Sequence, residues 1–373
     1  MRIINGKVLL GNDFQQTDVE INNGLISDIN TLGSNDDCFD ADGLYVISGF
    51  IDTHIHGCVG VEFASNDEDF TPARQWLATE GVTSFAATVR AMMPEDIIKA
   101  EKNILREMKR EVNGASIEGI SLEGPFVSFT KSGVMCPPDI ECSTETVKAF
   151  ADAGEGKLKI MTIAPERENS LEAIKTAVEC GVNASIGHTD ATYEQTVSAI
   201  DSGATRATHL FNAMRPLSHR ESGVLGAVLT DDRVNCEMIC DLVHLDAPVI
   251  KMAYKLKGAD GITLISDTGF MSGLGDGEFV VGGRKRTVKD GICRNDQGKI
   301  AGSCVSMLVG AKNLLKLGVP LNEVSVMASL NPAKALGISH KTGSIEVGKQ
   351  ADIIVCDGEL NIKAVFVKGI RCK

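Results

Sequence analysis

Two kinds of hydrophobic pattern divide the chain. Close to both termini, short strand-like runs are separated by turn residues such as Asn22-Asn23-Gly24, which is a hairpin signal. Between these ends, short apolar runs rich in β-branched residues alternate with amphipathic stretches of helical period, a pattern typical of a parallel α/β fold. The sequence therefore predicts a small β-sandwich domain built from residues 1–50 and 342–373, and an α/β domain formed by residues 51–341.

The α/β region contains eight apolar runs. They occupy residues 50–55, 82–89, 117–122, 158–163, 182–186, 204–208, 234–239 and 262–266. Helical stretches lie between most of them, including 94–111, 170–180 and 193–202. Eight such units favour a (β/α)8 TIM-like barrel. A doubly wound sheet is the alternative, but it usually has fewer strands, and the sequence has no G-x-G-x-x-G motif opening a helix.

The net charge of the chain limits the kinds of molecule that it can bind. The 373 residues include 37 Lys and Arg against 50 Asp and Glu, which gives a net charge of −13. A broad nucleic-acid surface is excluded because phosphate backbones are repelled by such a field, so an anionic small molecule must be bound by a local cationic pocket. The basic triplet Arg284-Lys285-Arg286 lies among Gly residues and is interpreted as a solvated hairpin, not as a binding patch.

The cysteines and the apolar runs bear on location. Eleven cysteines are scattered without a C-x-x-C pair, which is typical of reduced thiols and predicts a cytoplasmic protein. No stretch approaches 18 consecutive apolar residues, so we expect no membrane-spanning helix and no membrane partner.

Histidines and acids lie at the ends of the predicted strands. Each of the following ends or directly follows an apolar run: His54, His56, Glu123, His188, His209, His244 and Asp267. In a barrel, the carboxyl ends of the strands meet at one mouth, where active sites are built. Any one of these histidines alone could be an ordinary core or loop residue, but their joint placement indicates a functional site.

The residue types at this mouth suit metal-assisted hydrolysis. Strand alternation places His54 and His56 on one face, and Glu123 could bind one ion or bridge two. With His188 and His209 they form a set of nitrogen and oxygen ligands that suits Zn²⁺ or Fe²⁺ better than Mg²⁺ or Ca²⁺. Asp267 would then be a carboxylate able to act as a general base.

Several motifs resemble one known family. The His-x-His after the first strand is similar to that of the amidohydrolase superfamily. Within it, Leu-Glu-Gly-Pro-Phe at 122–126, Thr-His-Leu-Phe-Asn-Ala-Met at 208–214 and Ser-Asp-Thr at 266–268 resemble the N-acetylglucosamine-6-phosphate deacetylases. The resemblance extends over essentially the whole chain. It implies hydrolysis of the acetamide of N-acetyl-D-glucosamine 6-phosphate to glucosamine 6-phosphate and acetate.

The resemblance also implies residue roles. Glu123, His188 and His209 would hold the principal metal, and His54 and His56 a second one, so that each subunit binds one or two ions. Asp267 would take a proton from the attacking water and deliver it to the leaving amine. The residues implied in substrate binding are Asn212 and Ala213 at the phosphate, together with Arg220 and His244. The arginine would reach across a subunit interface, which implies a homodimer.

One position departs from the family pattern. Met135 stands where the family usually has a His or Gln that touches the substrate, and a thioether cannot donate a strong hydrogen bond. A deacetylase of another amino-sugar phosphate, such as N-acetylgalactosamine 6-phosphate, is therefore an alternative. A catalytically inactive scaffold is a further one. Loss of a ligand or of Asp267 would indicate the scaffold, and the sequence retains them all.

Overall fold

Eight parallel strands form a barrel in the middle of the chain, as predicted. The structure is a computed structural model that describes residues 1–30, 37–281 and 284–373. The barrel strands are Phe50–Ile55, Val82–Arg90, Ser116–Glu123, Leu158–Ile163, Asn183–Ile186, Arg206–Ala207, Asn235–Ile239 and Ile262–Ile265. Each pairs with the next in sequence order. Backbone hydrogen bonds link the exits of the first and eighth strands, from Asp267 N to His54 O (2.9 Å) and from His56 N to Thr268 O (2.8 Å).

A helix follows each barrel strand and covers the outside of the barrel. These helices are Thr71–Thr79, Pro94–Met108, Thr144–Ala153, Ser170–Glu179, Tyr193–Asp201, Gly223–Thr230, Ala247–Lys257 and Met307–Lys316, and Leu321–Ser325 and Asn331–Ala335 come after them. Because helices cover the outer face of the strands and side chains fill the interior, the strands are apolar on both faces. This explains why their sequences are continuous apolar runs.

Strands from both ends of the chain form a small β-domain, also as predicted. They are Arg2–Leu10, Asp13–Asn22, Leu25–Ile29, Cys38–Asp40, Tyr45–Ser48, Ile353–Cys356, Ile362–Val367 and Ile370–Arg371. The two ends are joined where Tyr45–Ser48 pairs antiparallel with Ile353–Cys356. The predicted hairpin has a two-residue turn, in which Asn23 (φ 49°) and Gly24 (φ 77°) both adopt the left-handed conformation that such turns require.

A four-stranded antiparallel sheet follows the eighth barrel strand, and the sequence reading did not anticipate it beyond one hairpin. Its strands are Gly277–Val281, Arg284–Lys289, Ile292–Asn295 and Ile300–Ser303. It packs on a small apolar cluster that includes Met271, Val288 and Cys293. Since so few of its residues are buried, the hydrophobic pattern gave little sign of a sheet here.

Two further observations concern the whole described chain. None of its helices is both long enough and apolar enough to cross a bilayer. All eleven cysteines are free thiols.

Glu101 is a buried carboxyl group in the helix Pro94–Met108. Within the described ranges, neither of its carboxylate oxygens has a hydrogen-bond partner. Burial raises the pKa of Glu101 to about 8. Because the pKa in the folded state lies above that in the unfolded state, folding favours the protonated form. The free energy of unfolding therefore falls as the pH rises from about 4.5 to about 8.

Replacing Glu101 with Gln should flatten this pH dependence. Between pH 5 and pH 8 the wild type should lose roughly 3 kcal/mol of unfolding free energy more than Glu101→Gln, because the variant has no buried charge to create. Urea unfolding at the two pH values measures the difference. Glu95→Gln, which changes an exposed carboxyl of the same helix, is the control. Parallel pH profiles for wild type and Glu101→Gln would show that Glu101 is not the responsible group.

Candidate active site

A cavity of about 530 Å³ opens at the carboxyl ends of the barrel strands. The predicted site residues that line it are His56, Glu123, Met135, His188, His209, Asn212, Ala213, His244 and Asp267. His54 lies beneath the cavity, with 2% of its surface exposed. Arg220 is solvent-exposed and does not contribute to the lining. The fold thus brings together all the predicted residues except Arg220.

One group of possible metal ligands is formed by Glu123, His188 and His209, which come from the third, fifth and sixth strands. The Oε1 atom of Glu123 lies 2.8 Å from His188 Nε2 and 3.0 Å from His209 Nε2, and the two imidazole nitrogens are 3.0 Å apart. Three donor atoms therefore face one point, and all three residues are buried. Such a set can hold a divalent cation.

A second group shares the same glutamate. His56 Nε2 lies 3.2 Å from Oε2 of Glu123 and 3.4 Å from Oδ1 of Asp267, and His54 Nε2 lies 3.6 Å from each of the two carboxylates. The Oε1 atom of Glu123 thus faces His188, His209 and, at a longer distance, His54, whereas Oε2 faces His56. Glu123 belongs to both groups of possible ligands, and Asp267, which belongs to the second, would be a ligand or a base there.

Neighbouring groups fix the orientation of two of these histidines. The Nδ1 atom of His188 is 2.8 Å from the carbonyl oxygen of Lys131, and Nδ1 of His54 is 3.0 Å from Glu237. Arg206 in turn donates to Glu237 at 3.0 Å. Because these contacts engage Nδ1 of His188 and of His54, the Nε2 atom of each ring is directed at the cluster. The sequence reading missed Glu237 and Arg206, although a glutamate inside the seventh apolar run was an available signal.

The charges of the cluster favour a bound cation. Burial alone would raise the pKa of Glu123, but the charges of His188 and His56 hold it well below its usual range. Burial alone would lower the pKa of His56, but Glu123 and Asp267 raise it to about 9. The carboxylates thus attract positive charge at the position where an ion would sit. Within the described chain, His54 Nε2 is buried without a hydrogen-bond partner, as expected for an atom reserved for a metal. The residues present therefore fit a divalent metal.

The backbone is unusual where the strands end. His188, His209, Ala213 and Asp267 have φ angles of 46°, 30°, 51° and 49°. Few residues other than glycine adopt this left-handed conformation, which costs about 1–3 kcal/mol each and is concentrated at functional sites. Here it turns the chain sharply at the mouth, so that consecutive strands present their terminal side chains to one cavity.

Three predicted substrate residues lie farther out in the cavity. The carbonyl oxygen of Ala213 accepts a hydrogen bond from Thr189 N at 3.0 Å, which holds the loop after the sixth strand against the fifth. His244 Nδ1 pairs with Asp241 at 2.8 Å, which leaves Nε2 for a ligand. Burial would lower the pKa of His244, but the hydrogen bond to Asp241 raises it overall. Met135 faces the cavity as an apolar group.

Two arginines that the sequence reading did not select line the cavity. Arg90 pairs with Glu62 at 3.3 Å. Arg286 belongs to the four-stranded sheet and makes no ion pair with any residue in the described part of the chain. The basic triplet belongs to a hairpin, as predicted, and Arg286 within it also lines the mouth. Alternation along the strand directs Arg286 into the mouth and Lys285 away, toward Glu278.

Comparison with known proteins places these observations in a family. The sequence profile of the amidohydrolase family matches residues 45–371. The chain is 34% identical over 361 residues to the N-acetylglucosamine-6-phosphate deacetylase of Lysinibacillus sphaericus, covering 95% of this chain and 93% of the relative. It is 32% identical over 324 residues to the N-acetylgalactosamine-6-phosphate deacetylase of Escherichia coli O157:H7, covering 86% and 85%.

Solved structures agree with the sequence comparison. A mutant of N-acetyl-D-glucosamine-6-phosphate deacetylase from Mycobacterium smegmatis, in complex with N-acetyl-D-glucosamine-6-phosphate, superposes with a TM-score of 0.91. It is 33% identical, and the alignment covers 100% of this chain and 99% of the other. The barrel, the small β-domain and their arrangement are therefore those of a known group of enzymes.

Proposed function

Because the chain belongs to the amidohydrolase family, we propose that it hydrolyses the acetamide of N-acetyl-D-glucosamine 6-phosphate to D-glucosamine 6-phosphate and acetate. One observation supports this proposal above the others. Glu123, His188 and His209 meet at one point of the cavity, with Asp267 beside them. None of the groups that metal-assisted amide hydrolysis requires is missing from this mouth, which argues against an inactive scaffold.

Each residue of the site has a separate role in the proposed hydrolysis. A divalent cation held by Glu123, His188 and His209 would supply Lewis acidity toward the acetamide carbonyl and toward water. Asp267 accepts a proton from the attacking water and returns it to the nitrogen of the leaving amine. His244 offers Nε2 as a hydrogen-bond donor where Met135 cannot donate. Burial of the cluster strengthens each of these electrostatic contacts.

We propose Zn²⁺ as the metal, with Fe²⁺ as the alternative, because imidazole and carboxylate ligands suit borderline ions. The group Glu123, His188 and His209 is the principal site, and His54, His56 and Asp267 complete a second one. Elemental analysis of the purified protein gives both the identity of the metal and the number of ions per subunit.

We further propose that the enzyme is a cytoplasmic homodimer. Arg220 is exposed and outside its own cavity, and Leu217 in the same loop has 48% of its surface exposed. A partner subunit packed on this loop would cover Leu217 and bring Arg220 to the neighbouring cavity. The acidic residue next to Arg220 in sequence, Glu221, forms its ion pair with Arg215 and not with Arg220. The free thiols are consistent with a reducing compartment.

Acetate release tests the function. The metal-loaded protein is incubated with N-acetylglucosamine and N-acetylgalactosamine, each with and without a 6-phosphate. We expect turnover of N-acetylglucosamine 6-phosphate and little turnover of either unphosphorylated sugar. Preference for N-acetylgalactosamine 6-phosphate would establish the alternative function, deacetylation of that sugar phosphate. The similarity to the Escherichia coli O157:H7 enzyme supports this alternative. No acetate from any phosphorylated sugar would contradict the proposal.

Arg220 and Arg286, which form no ion pair with any described residue, should both affect recognition of the phosphate. Removing a hydrogen bond to a charged group costs roughly 1.5–3 kcal/mol, or about 10–150-fold in affinity. Arg220→Met and Arg286→Met should each lower kcat/KM for the phosphorylated substrate by that order and hardly change the slow reaction of N-acetylglucosamine. Lys285→Met is the control, because its side chain points away from the cavity. Equal losses on both substrates would show that the arginine concerned does not bind the phosphate.

A further inference from the structure

A second cavity, of about 330 Å³, lies at the opposite end of the barrel from the mouth. Ser116, Ile117 and Glu118, which line it, begin the third barrel strand, whose last residue Glu123 lies in the candidate active site. A strand rises about 3.3 Å per residue, so the two ends of this strand are about 20 Å apart. The wall of the cavity is completed by the small β-domain through Lys368. It is therefore a separate cavity at the junction of the barrel and the β-domain.

Positive charge is concentrated in this second cavity, although the chain carries −13 overall. Five cationic side chains line it, and only two carboxylates do, those of Glu118 and Glu155. The cations are Arg74, Lys109, Lys157, Lys341 and Lys368. Only one ion pair forms between lining residues, from Lys341 to Glu118 at 2.6 Å. In the described ranges, Lys109, Lys157 and Lys368 have no acidic side chain within 4.0 Å of their amino groups.

Arg74 supplies a fixed cation in the wall of this cavity. Only 5% of its surface is exposed. Its Nε donates to the carbonyl oxygen of Ala115 at 2.9 Å, and its Nη1 donates to those of Glu107 (3.2 Å) and Arg110 (2.9 Å). No carboxylate of the described chain lies within 4.0 Å of the guanidinium, and Nη2 has no hydrogen-bond partner among those residues. Glu107 and Asp69 act on this charge only from beyond that distance, so among the described residues no carboxylate pairs directly with the guanidinium, which can therefore bind an anion.

A buried acid, Asp352, lies beside this cavity and adds one carboxylate to the balance of charge. Asp352 lies close enough to Lys368 and Glu118 for their charges to affect it. Its Oδ1 accepts a hydrogen bond from the backbone N of Lys368 at 2.9 Å, and its Oδ2 accepts one from the hydroxyl of Thr342, also at 2.9 Å. Even with Asp352 counted as ionised, five cations face three carboxylates, the two in the lining and Asp352. The balance of charge in the cavity stays positive.

We propose that this second cavity binds a small molecule that carries a phosphoryl group. Guanidinium and ammonium donors on several sides of one cavity suit a compact dianion with three acceptor oxygens. The volume lies at the lower end of the range for small-molecule pockets, about 300–1,000 Å³, which fits a phosphate ion or a sugar phosphate. A long polyanion is excluded by the field of the chain. Because the cavity joins the two domains, its ligand would also stabilise the folded protein.

Equilibrium dialysis of the full-length protein tests this proposal. The probes are radiolabelled inorganic phosphate and, separately, glucosamine 6-phosphate, both at low ionic strength. The test variant is Lys109→Met/Lys157→Met. The matched control is Lys102→Met/Lys175→Met, which removes two exposed lysines that lie outside the cavity. Lys102 lies in the helix Pro94–Met108, and Lys109 directly follows it. Each variant removes two positive charges, so the two variants have the same net charge.

In the test variant, we expect the dissociation constant of one class of binding sites to rise at least about tenfold for one or both probes. In the control variant, it should be unchanged. Binding at the mouth is common to all the proteins and cancels in the comparison. Comparing the two probes identifies free phosphate or a sugar phosphate as the preferred ligand. Equal binding of both probes by wild type, test variant and control, or an equal loss in test variant and control, would overturn the proposal. Equal thermal midpoints in phosphate-free buffer verify that the variants are folded.

Discussion

Replacing Asp267 with Asn should lower kcat by about 10²–10⁴-fold, which is the usual contribution of a positioned general acid–base group. The carboxylate lies at the exit of the eighth strand, 3.4 Å from His56 Nε2, and has 17% of its side chain exposed to the cavity. Burial would raise the pKa of Asp267, but the hydrogen bond with His56 and the charge of His54 lower it. Asp267 is therefore ionised and able to accept a proton. An amide of the same shape cannot do so.

The fold and most of the metal should survive this substitution. The amide side chain introduced by Asp267→Asn would keep an oxygen near His56, and the ligand group Glu123, His188 and His209 is untouched. Steady-state acetate release and elemental analysis of the same preparation separate loss of the base from loss of the ion. Asp190→Asn, which alters a half-buried acid paired with Arg215, is the control and should retain activity. Near-normal turnover by Asp267→Asn would mean that another group, with His244 as the next candidate, is the base.

Replacing Glu123 with Ala should remove metal and activity together. Its Oε1 atom contacts His188 and His209 and its Oε2 atom faces His56, so their loss leaves these three histidines without the negative charge between them. Removal of one partner from a buried charged cluster typically costs about 3–5 kcal/mol, which corresponds to roughly 10²–10⁴-fold in metal affinity. His54→Ala should be milder, because it affects only the second ligand group.

Metal content measured by elemental analysis, in parallel with acetate release, decides this assignment. Glu62→Ala is a suitable control, because Glu62 lines the same cavity but pairs with Arg90. We expect this control to keep its metal. A full complement of metal in Glu123→Ala would falsify the assignment of Glu123 as a ligand.

The fold and most of the candidate site could be predicted where the surroundings of a strand leave a regular pattern in its sequence. The barrel strands are buried on both faces, so each is an apolar run, and eight of them define the architecture. The polar side chains at the strand exits stand out against those runs, and the geometry of a barrel brings them together. His54, Glu123 and Asp267 are separated by up to about 210 residues in sequence, yet their ligand atoms lie within 4.8 Å of one another.

Features that depend on partners distant in sequence were not predictable in this way. Glu237 lies inside an apolar run, and only the fold shows that His54 and Arg206 contact it. The four-stranded sheet after the eighth strand has alternating exposed positions like any solvated hairpin, so the entry of Arg286 into the mouth depends on how the sheet packs. Arg220 lies outside the cavity of its own chain, although the motif resemblance implies contact with the substrate.

The pairing of Tyr45–Ser48 with Ile353–Cys356 has a consequence for biosynthesis. Roughly 300 residues separate the two strands, and a ribosome adds about 5–20 residues per second. The amino-terminal strands therefore leave the ribosome about 15–60 seconds before the strand that completes their sheet exists. Each barrel strand has its sequence neighbour as its partner in the sheet, whereas the β-domain is completed only after residues 353–356 have been added. A nascent chain that stalls before residue 353 would expose an unpaired strand edge, the kind of surface on which chaperones act and from which aggregation starts.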